Sequence, residues 1–117
     1  MGEKGMQETV IIELDRVSDE VFEAFHRLVP QLSTINAPPS REDLESMVKA
    51  QATKLYIARH ARFDNEIIGT LTLILYQIPT GKRARIEDVI VDERARGLGI
   101  GEALTRRALE QAFASGA

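Results

Sequence analysis

The chain has 117 residues, which suits one domain, and its 44% hydrophobic and 28% charged residues are typical of a globular protein, not a disordered one. A formal net charge of −3 gives no general attraction to nucleic acid or to an anionic membrane, so neither is expected as a partner. The lack of cysteine excludes disulfides, thiolate metal sites and a cysteine nucleophile, and His26 and His60 lack the spacing of a zinc site, so no metal is expected.

No segment of the sequence has the pattern of a targeting or membrane-spanning element. The first nine residues are polar and include Glu3, Lys4 and Glu8, which does not fit a signal peptide. The longest apolar stretch, residues 71–76, is far too short to span a bilayer. We therefore expect a cytoplasmic protein.

The first half of the chain predicts one strand and two helices. Residues 10–14 predict a strand, and Ser18 is a candidate N-cap for a first helix that Pro30 should kink or end. That helix has one apolar face, formed by Val21, Phe22, Phe25, Leu28, Val29 and Leu32. Phe22 and Phe25, like Tyr76 further on, are predicted to be core residues. After a loop at residues 36–39, Ser40 is predicted to cap a second helix.

The second half predicts three strands and a final helix. The strands are expected at residues 54–59, 66–77 and 85–91, with turns at Asp64-Asn65 and at residues 79–82. An amphipathic helix begins at Ile100 and should stop at Ser115-Gly116. The order β-α-α-β-β-β-α predicts that residues 1–117 form a single α/β domain, with helices packed on a mostly antiparallel sheet.

The most informative segment is a glycine loop, residues 96–101, between the last strand and the last helix. Its glycines, Gly97, Gly99 and Gly101, permit left-handed turns and let an anion approach the backbone at a helix N-terminus. Arg94 and Arg96 are expected to add charge at its rim. The alternative is a tight turn without a ligand, although three glycines in five residues exceed what a turn needs.

The spacing of the glycines narrows the kind of phosphate ligand. A dinucleotide fingerprint would need a third glycine at Glu102 or at Leu104, and no GxxxxGK[ST] sequence is present. What remains is R-x-x-G-x-G, formed by Arg96, Gly99 and Gly101.

This pattern resembles the pyrophosphate loop of the GNAT N-acetyltransferases. The preceding Ile86-Glu87-Asp88-Val89-Ile90-Val91 is similar to the family's fourth strand, in the form seen in glucosamine-6-phosphate N-acetyltransferases. The upstream order of elements also matches. The resemblance implies a GNAT-like acyl-CoA N-acyltransferase fold and acetyl-CoA as the co-substrate.

The resemblance also implies roles for individual residues in the attack of a primary amine on acetyl-CoA. The backbone of Val89, Ile90 and Val91 would bind the pantetheine arm. The pyrophosphate would be held by Arg96, Gly97, Leu98, Gly99, Ile100, Gly101 and Glu102. Glu87 is the candidate general base. Because neighbouring strand residues point to opposite faces, at most one of Glu87 and Asp88 should face the active site, and the other could pair with Lys82, Arg83 or Arg85.

In the resembled family a fifth strand, a fourth helix and a final strand pair follow, and the fourth helix often supplies a tyrosine as general acid. The sequence ends at Ala117, so we expect a domain truncated after the helix that follows the fourth strand. The fourth strand would then be an exposed edge, which predicts a homodimer or other self-association. The alternative to an active enzyme is a catalytically incomplete module that binds acyl-CoA or oligomerises.

Overall fold

The computed structural model describes residues 8–117, so most of the polar N-terminal stretch lies outside the described residues. The main elements are β1 (Thr9–Glu13), α1 (Asp19–Leu32), α2 (Arg41–Lys49), β2 (Thr53–His60), β3 (Ile67–Ile78), β4 (Gly81–Val91) and α3 (Ile100–Ala114). Short 3-10 turns span Ala61–Phe63 and Glu93–Ala95. The strands form an antiparallel sheet in the order β1-β2-β3-β4. The predicted element order is confirmed.

Both serine caps are confirmed. The Ser18 hydroxyl accepts a hydrogen bond from the Val21 N–H at 3.2 Å, and Ser40 forms a reciprocal capping box with Asp43. Of the two outcomes predicted for Pro30, a kink or an end of the helix, the end does not occur, since α1 continues to Leu32. The helical bond from the Ser33 N–H to the Val29 carbonyl closes its last turn, which does not require a donor at Pro30.

Strand β4 begins four residues earlier than predicted. The β3–β4 turn uses only Pro79 and Thr80, so Gly81 already lies opposite Ile78, and the Lys82 and Arg83 positions pair with Gln77 and Tyr76. Gly81 has a φ of 137°, a backbone conformation that residues other than glycine rarely adopt. The two strands therefore form a long hairpin with a two-residue turn.

The sheet carries helices on both faces, which gives two apolar cores. Helix α3 covers one face, where Ile100, Leu104 and Ala108 pack on strand residues such as Leu71 and Leu73. Helices α1 and α2 cover the other face; its core consists of Val21, Ala24, Phe25, Leu28, Leu44, Leu55, Ile57, Ile67 and Ile90. None of the helices in residues 8–117 is long and apolar enough to cross a membrane.

Strand β4 is interrupted by a bulge close to its C-terminal end. Thr72 lies opposite Glu87 and Thr70 lies opposite Ile90, so Asp88 and Val89 together face the single residue Leu71. Asp88 has a φ of 49°, in the left-handed region. We predicted that Glu87 and Asp88 point to opposite faces because side chains alternate along a regular strand. The bulge interrupts that alternation, since it adds one residue to β4 that has no partner of its own on β3.

Candidate functional site

The glycine loop joins the end of β4 to α3 in a conformation that only glycine adopts easily. Gly97 has a φ of 86°, and Gly99, the N-cap of α3, has a φ of 79°. Between and after them, Leu98 packs on the α3-side core and Ile100 is buried. The apolar residues anchor the loop to the core while the glycines set the direction of its backbone.

The N-terminus of α3 has the features of an anion site. Gly99 provides no side-chain cap, and an α-helix leaves its first N–H groups without intrahelical acceptors. A Cβ atom added at Gly97 or Gly99 would meet nothing within 4 Å, so the space beside this backbone is open to a ligand. The free N–H groups at the positive end of the helix dipole suit a negatively charged phosphate, and the space beside the loop is large enough to admit one.

Of the two arginines predicted at the rim, only Arg96 is free to meet an anion. Arg96 is exposed, and it has no ion-pair or hydrogen-bond partner within residues 8–117. Arg94 instead binds Asp92, with a guanidinium–carboxylate distance of 2.8 Å, and Glu66, at 3.2 Å. Its guanidinium also lies 5.8 Å from the centre of the Phe63 ring. Arg94 thus fastens the loop to the start of β3.

Asp92 is the buried centre of this polar network. Its side chain is 2% exposed, and it accepts from both the side chain and the backbone N–H of Arg94. Those side-chain hydrogen bonds lower the pKa of the Asp92 carboxyl, although burial acts in the opposite direction. The hydrogen bonds to Asp92 and Glu66 raise the pKa of Arg94. Asp92 therefore stays ionised at neutral pH.

Helix α1 is tied to the same network. The Arg27 guanidinium lies 3.2 Å from the Glu66 carboxylate and 3.7 Å from that of Asp92, and it donates to the Ile67 carbonyl. The Gln31 side-chain oxygen accepts from the Glu93 N–H at 2.9 Å. These contacts connect α1 with the segment that leads into the glycine loop.

The three predicted backbone contacts of β4 differ in direction. The Asp92 N–H donates to the Ile68 carbonyl of β3. Hydrogen bonding alternates along an antiparallel strand, so the backbone N–H and C=O of Ile90, which lies two residues earlier and opposite Thr70, also point to β3. The backbone N–H and C=O of Val91 point to the open edge of the sheet instead. Val89 lies in the bulge and its side chain is 38% exposed.

A cavity of about 540 Å³ lies on the other side of β4, between the sheet, α1, α2 and the loop that joins the helices. We call it the α1–α2 cavity. Its apolar wall consists of Phe25, Val29, Leu44, Met47, Leu55 and Ile90. The predicted core role of Phe25 is confirmed, and the same ring lines this cavity.

The polar lining of the α1–α2 cavity comes from several elements at once. Thr70 and Thr72 come from β3 and Asp43 from α2, while the bulge contributes Asp88. Glu87 lies opposite Thr72 and therefore on the same face, but its carboxylate is 3.1 Å from the Arg85 guanidinium and 44% exposed. The bulge thus brings Asp88, rather than Glu87, to the cavity wall.

Tyr76 has different surroundings from those predicted, and His26 supports a loop beside the cavity. Tyr76, predicted to be a core residue, is 44% exposed on the long hairpin. His26 packs its ring against Phe22, and its Nε2 lies 3.2 Å from the Pro39 carbonyl, which can only accept. His26 therefore supports the loop that borders the cavity.

Gly69 is a residue of the site that the motif did not indicate. A Cβ at this position in β3 would lie 3.1 Å from Ile100 and 3.2 Å from Leu104, both on α3. Gly69 thereby lets the N-terminal end of α3 approach the sheet closely. Within residues 8–117 there is no cluster of histidine, aspartate or glutamate side chains that could hold a metal ion.

The fold and the glycine loop are consistent with a class of group-transfer enzymes, and the comparison with known families identifies it. Residues 17–117 match the profile of the acetyltransferase (GNAT) family, and the chain belongs to that family. It is therefore an acetyltransferase, as the sequence resemblance predicted. No curated protein matches it.

Solved structures share the fold. An aminoglycoside acetyltransferase from an uncultured soil metagenomic sample, in complex with trehalose, is 22% identical with a TM-score of 0.77, over 94% of this chain and 73% of that one. A protein described as a possible acetyl transferase from Pyrococcus furiosus is 30% identical with a TM-score of 0.65, over 94% of this chain and 78% of that one. A similar protein from Agrobacterium tumefaciens is 19% identical with a TM-score of 0.75, over 92% and 75%.

Proposed function

We propose that the chain transfers an acetyl group from acetyl-CoA to the primary amine of a small acceptor. The observation that carries the proposal is the glycine loop, where the uncapped first turn of α3 meets open space beside Gly97 and Gly99. The pyrophosphate of CoA is the anion this loop would hold, through the backbone N–H groups of residues 97–102 and the Arg96 guanidinium. The Glu102 carboxylate pairs with Arg106, one turn along α3.

The edge of β4 would position the rest of the co-substrate. Acetyl-CoA supplies the acetyl group as a thioester, which the amine attacks directly. The backbone groups of Val91 at the open edge are available to bind the pantetheine arm, and those of Val89 in the bulge would contribute, whereas those of Ile90 face β3. The Val89 or Val91 N–H would also polarise the carbonyl group, as oxyanion-binding amides do.

Glu87 remains our candidate general base, acting on the ammonium group directly or through one water molecule. Its position on the same face of the sheet as Thr72 and its partial exposure support this role. The test is Glu87→Gln with the pH dependence of kcat/KM as the readout. A pH profile unchanged from that of the parent would exclude Glu87 as the base.

The α1–α2 cavity is our candidate acceptor site, because it opens beside the same part of β4 and its volume is in the usual range for small ligands. The sisomicin complex of the aminoglycoside acetyltransferase has 22% identity to this chain, which supports the fold alone. The acceptor must therefore be argued from this chain's own residues.

The first experiment is thermal unfolding with and without acetyl-CoA, for the parent chain and for Gly99→Glu. A ligand at 100 times its dissociation constant stabilises the folded state by about 2.7 kcal/mol. We expect a clear rise of the midpoint in the parent and none in the variant. Gly116→Ala, at another left-handed glycine outside the loop, is the matched control and should keep the rise. An unchanged midpoint in a cooperatively melting parent would refute acetyl-CoA binding.

We also propose that the free edge of β4 mediates self-association. Within residues 8–117, β4 is the last strand of the sheet and pairs only with β3. Lys82, Arg83 and Arg85 disfavour pairing along its first half, so contact would form at residues 89–91. Acetyl-CoA would occupy the same edge and should reduce association. Light scattering that finds a monomer at working concentration, with and without acetyl-CoA, would contradict this proposal.

A further inference from the structure

The α1–α2 cavity has an unbalanced charge. Two carboxylates line it, Asp43 and Asp88, and no lysine, arginine or histidine of the described chain does so. One Asp43 oxygen is already engaged, since Oδ2 accepts from the Ser40 N–H at 3.2 Å. The Asp88 carboxylate has no partner within residues 8–117. An anionic group in this cavity would meet two negative charges and no positive one.

Asp88 owes its position to an unusual backbone conformation. Its φ of 49° places it in the left-handed region, which costs a residue other than glycine some free energy and which Asp and Asn tolerate best. A residue kept in such a conformation at a cavity wall is a candidate for binding a ligand. Asn also tolerates this backbone conformation, so an Asp88→Asn variant can remove the charge without changing the backbone.

The rest of the cavity favours an uncharged, apolar ligand body. Six apolar side chains from α1, α2, β2 and β4 form most of the wall, including Phe25, Met47 and Ile90. Burying hydrocarbon against such a wall is favourable, whereas burying a phosphate or carboxylate there without a cationic partner is costly.

We infer that the acceptor is a primary amine with an apolar body and no phosphate or carboxylate, and that Asp88 receives its ammonium group. This inference rests on the proposed function, since it assumes that the cavity is the acceptor site. The inference also means that similarity of the strand does not imply the same acceptor. Residues 86–91 resemble the strand of glucosamine-6-phosphate N-acetyltransferases, but no cationic side chain of the described chain lines this cavity to pair with a phosphate.

The test is an NMR titration of the isotopically labelled chain, which measures binding without requiring turnover. The probes are 2-phenylethylamine, phenylalanine, 2-phenylethanol and glucosamine 6-phosphate. The first two differ only by a carboxylate, and the alcohol lacks the charge. We expect 2-phenylethylamine to shift the resonances of cavity residues and each of the other three to bind about tenfold or more weakly, the range for a hydrogen bond to a charged group.

Two variants make the test specific for Asp88. Asp88→Asn should weaken binding of 2-phenylethylamine about tenfold while keeping the fold. Asp64→Asn is the matched control, because Asp64 is exposed, has a φ of 53° and lies outside the cavity. It should leave binding unchanged.

The outcomes separate this inference from the proposed function. The inference is overturned if phenylalanine or glucosamine 6-phosphate binds as tightly as 2-phenylethylamine, if Asp88→Asn has no effect, or if no probe shifts the cavity resonances. Acetyl-CoA is titrated into a second sample of the same chain, with the glycine-loop resonances as the readout. Failure of that titration alone overturns the proposed function, while the amine titration is still judged by its own result.

Discussion

The two sides of β4 carry two candidate sites that are built by different means. On the α3 side the glycine loop presents backbone N–H groups, and its shape depends on left-handed glycines at 97 and 99. On the α1 and α2 side the cavity presents side chains from several elements, with Asp88 placed by a bulge. One site is a property of a short continuous segment, and the other is a property of the assembled sheet and helices.

This difference teaches that the two sites should respond differently to mutation. The glycine loop depends on local backbone conformation and on the polar network that holds its entrance, so changes there should affect both stability and binding of acetyl-CoA. The cavity depends on individual side chains, so conservative changes there should alter ligand preference while leaving the fold intact. The following predictions test that contrast.

The largest effect is expected for Asp92→Ala. Removing one member of a buried ion pair typically costs about 3–5 kcal/mol; here Arg27 and Arg94 would lose the buried one of the two carboxylates that they share and would keep Glu66. Urea unfolding should show that the free energy of unfolding falls by an amount near the lower end of this range, since the Arg94 side chain is half exposed. Glu93→Ala, an exposed neighbour, is the control and should change stability by less than about 0.5 kcal/mol. Equal stabilities for both variants would show that the network does not hold the loop.

Gly99→Ala should have the next largest effect. A residue with a Cβ loses about 1–2 kcal/mol in the left-handed conformation, although here it meets no neighbouring atom. The new methyl group would enter the space proposed for the phosphate, so calorimetry should show acetyl-CoA affinity falling about tenfold or more. Gly116→Ala, where φ is 90°, should reduce stability without changing affinity in the folded protein. Equal affinities in the two variants would contradict the loop as the binding site.

Ser40→Ala should affect only the cavity side. Loss of an N-cap hydroxyl costs about 1 kcal/mol, and here it breaks the capping box that also engages Asp43. Thermal unfolding should show this loss, while calorimetry should show unchanged acetyl-CoA affinity. A fall in affinity comparable to that of Gly99→Ala would mean that the two sides of β4 are coupled.

The smallest effect at working pH is expected from protonation of Asp92. Its pKa in the folded state is lowered, so its stabilising contribution is fully present above the unfolded-state value near 3.8 and is lost as the pH falls through the folded-state pKa. At neutral pH the contribution does not vary. Urea midpoints followed from neutral pH to about pH 2 should fall less steeply in Asp92→Asn than in the parent. Identical slopes would contradict this account.

Much of the fold follows from local sequence signals. The serines at 18 and 40 mark helix starts, apolar periodicity marks α1 and α3, and the turns at Asp64-Asn65 and Pro79-Thr80 separate the strands. The glycine loop was predictable for the same reason, since its φ angles and helix N-terminus are set by adjacent residues. Pro30 does not end α1, because the helix continues to Leu32 and the Ser33 N–H closes its last turn on the Val29 carbonyl.

Only the tertiary structure decides what surrounds that loop. Arg27, Glu66, Asp92 and Arg94 meet although up to 67 positions separate them, and no local pattern indicates that Arg94 pairs inward while Arg96 stays free. Asp88 reaches the cavity because β3 and β4 pair with a shifted register, which a period of two cannot predict. The sequence by itself determined the elements and the conformation of the glycine loop, because backbone conformation depends on neighbouring residues. The cavity and its charge arose from packing, because they are formed by side chains that are distant in sequence.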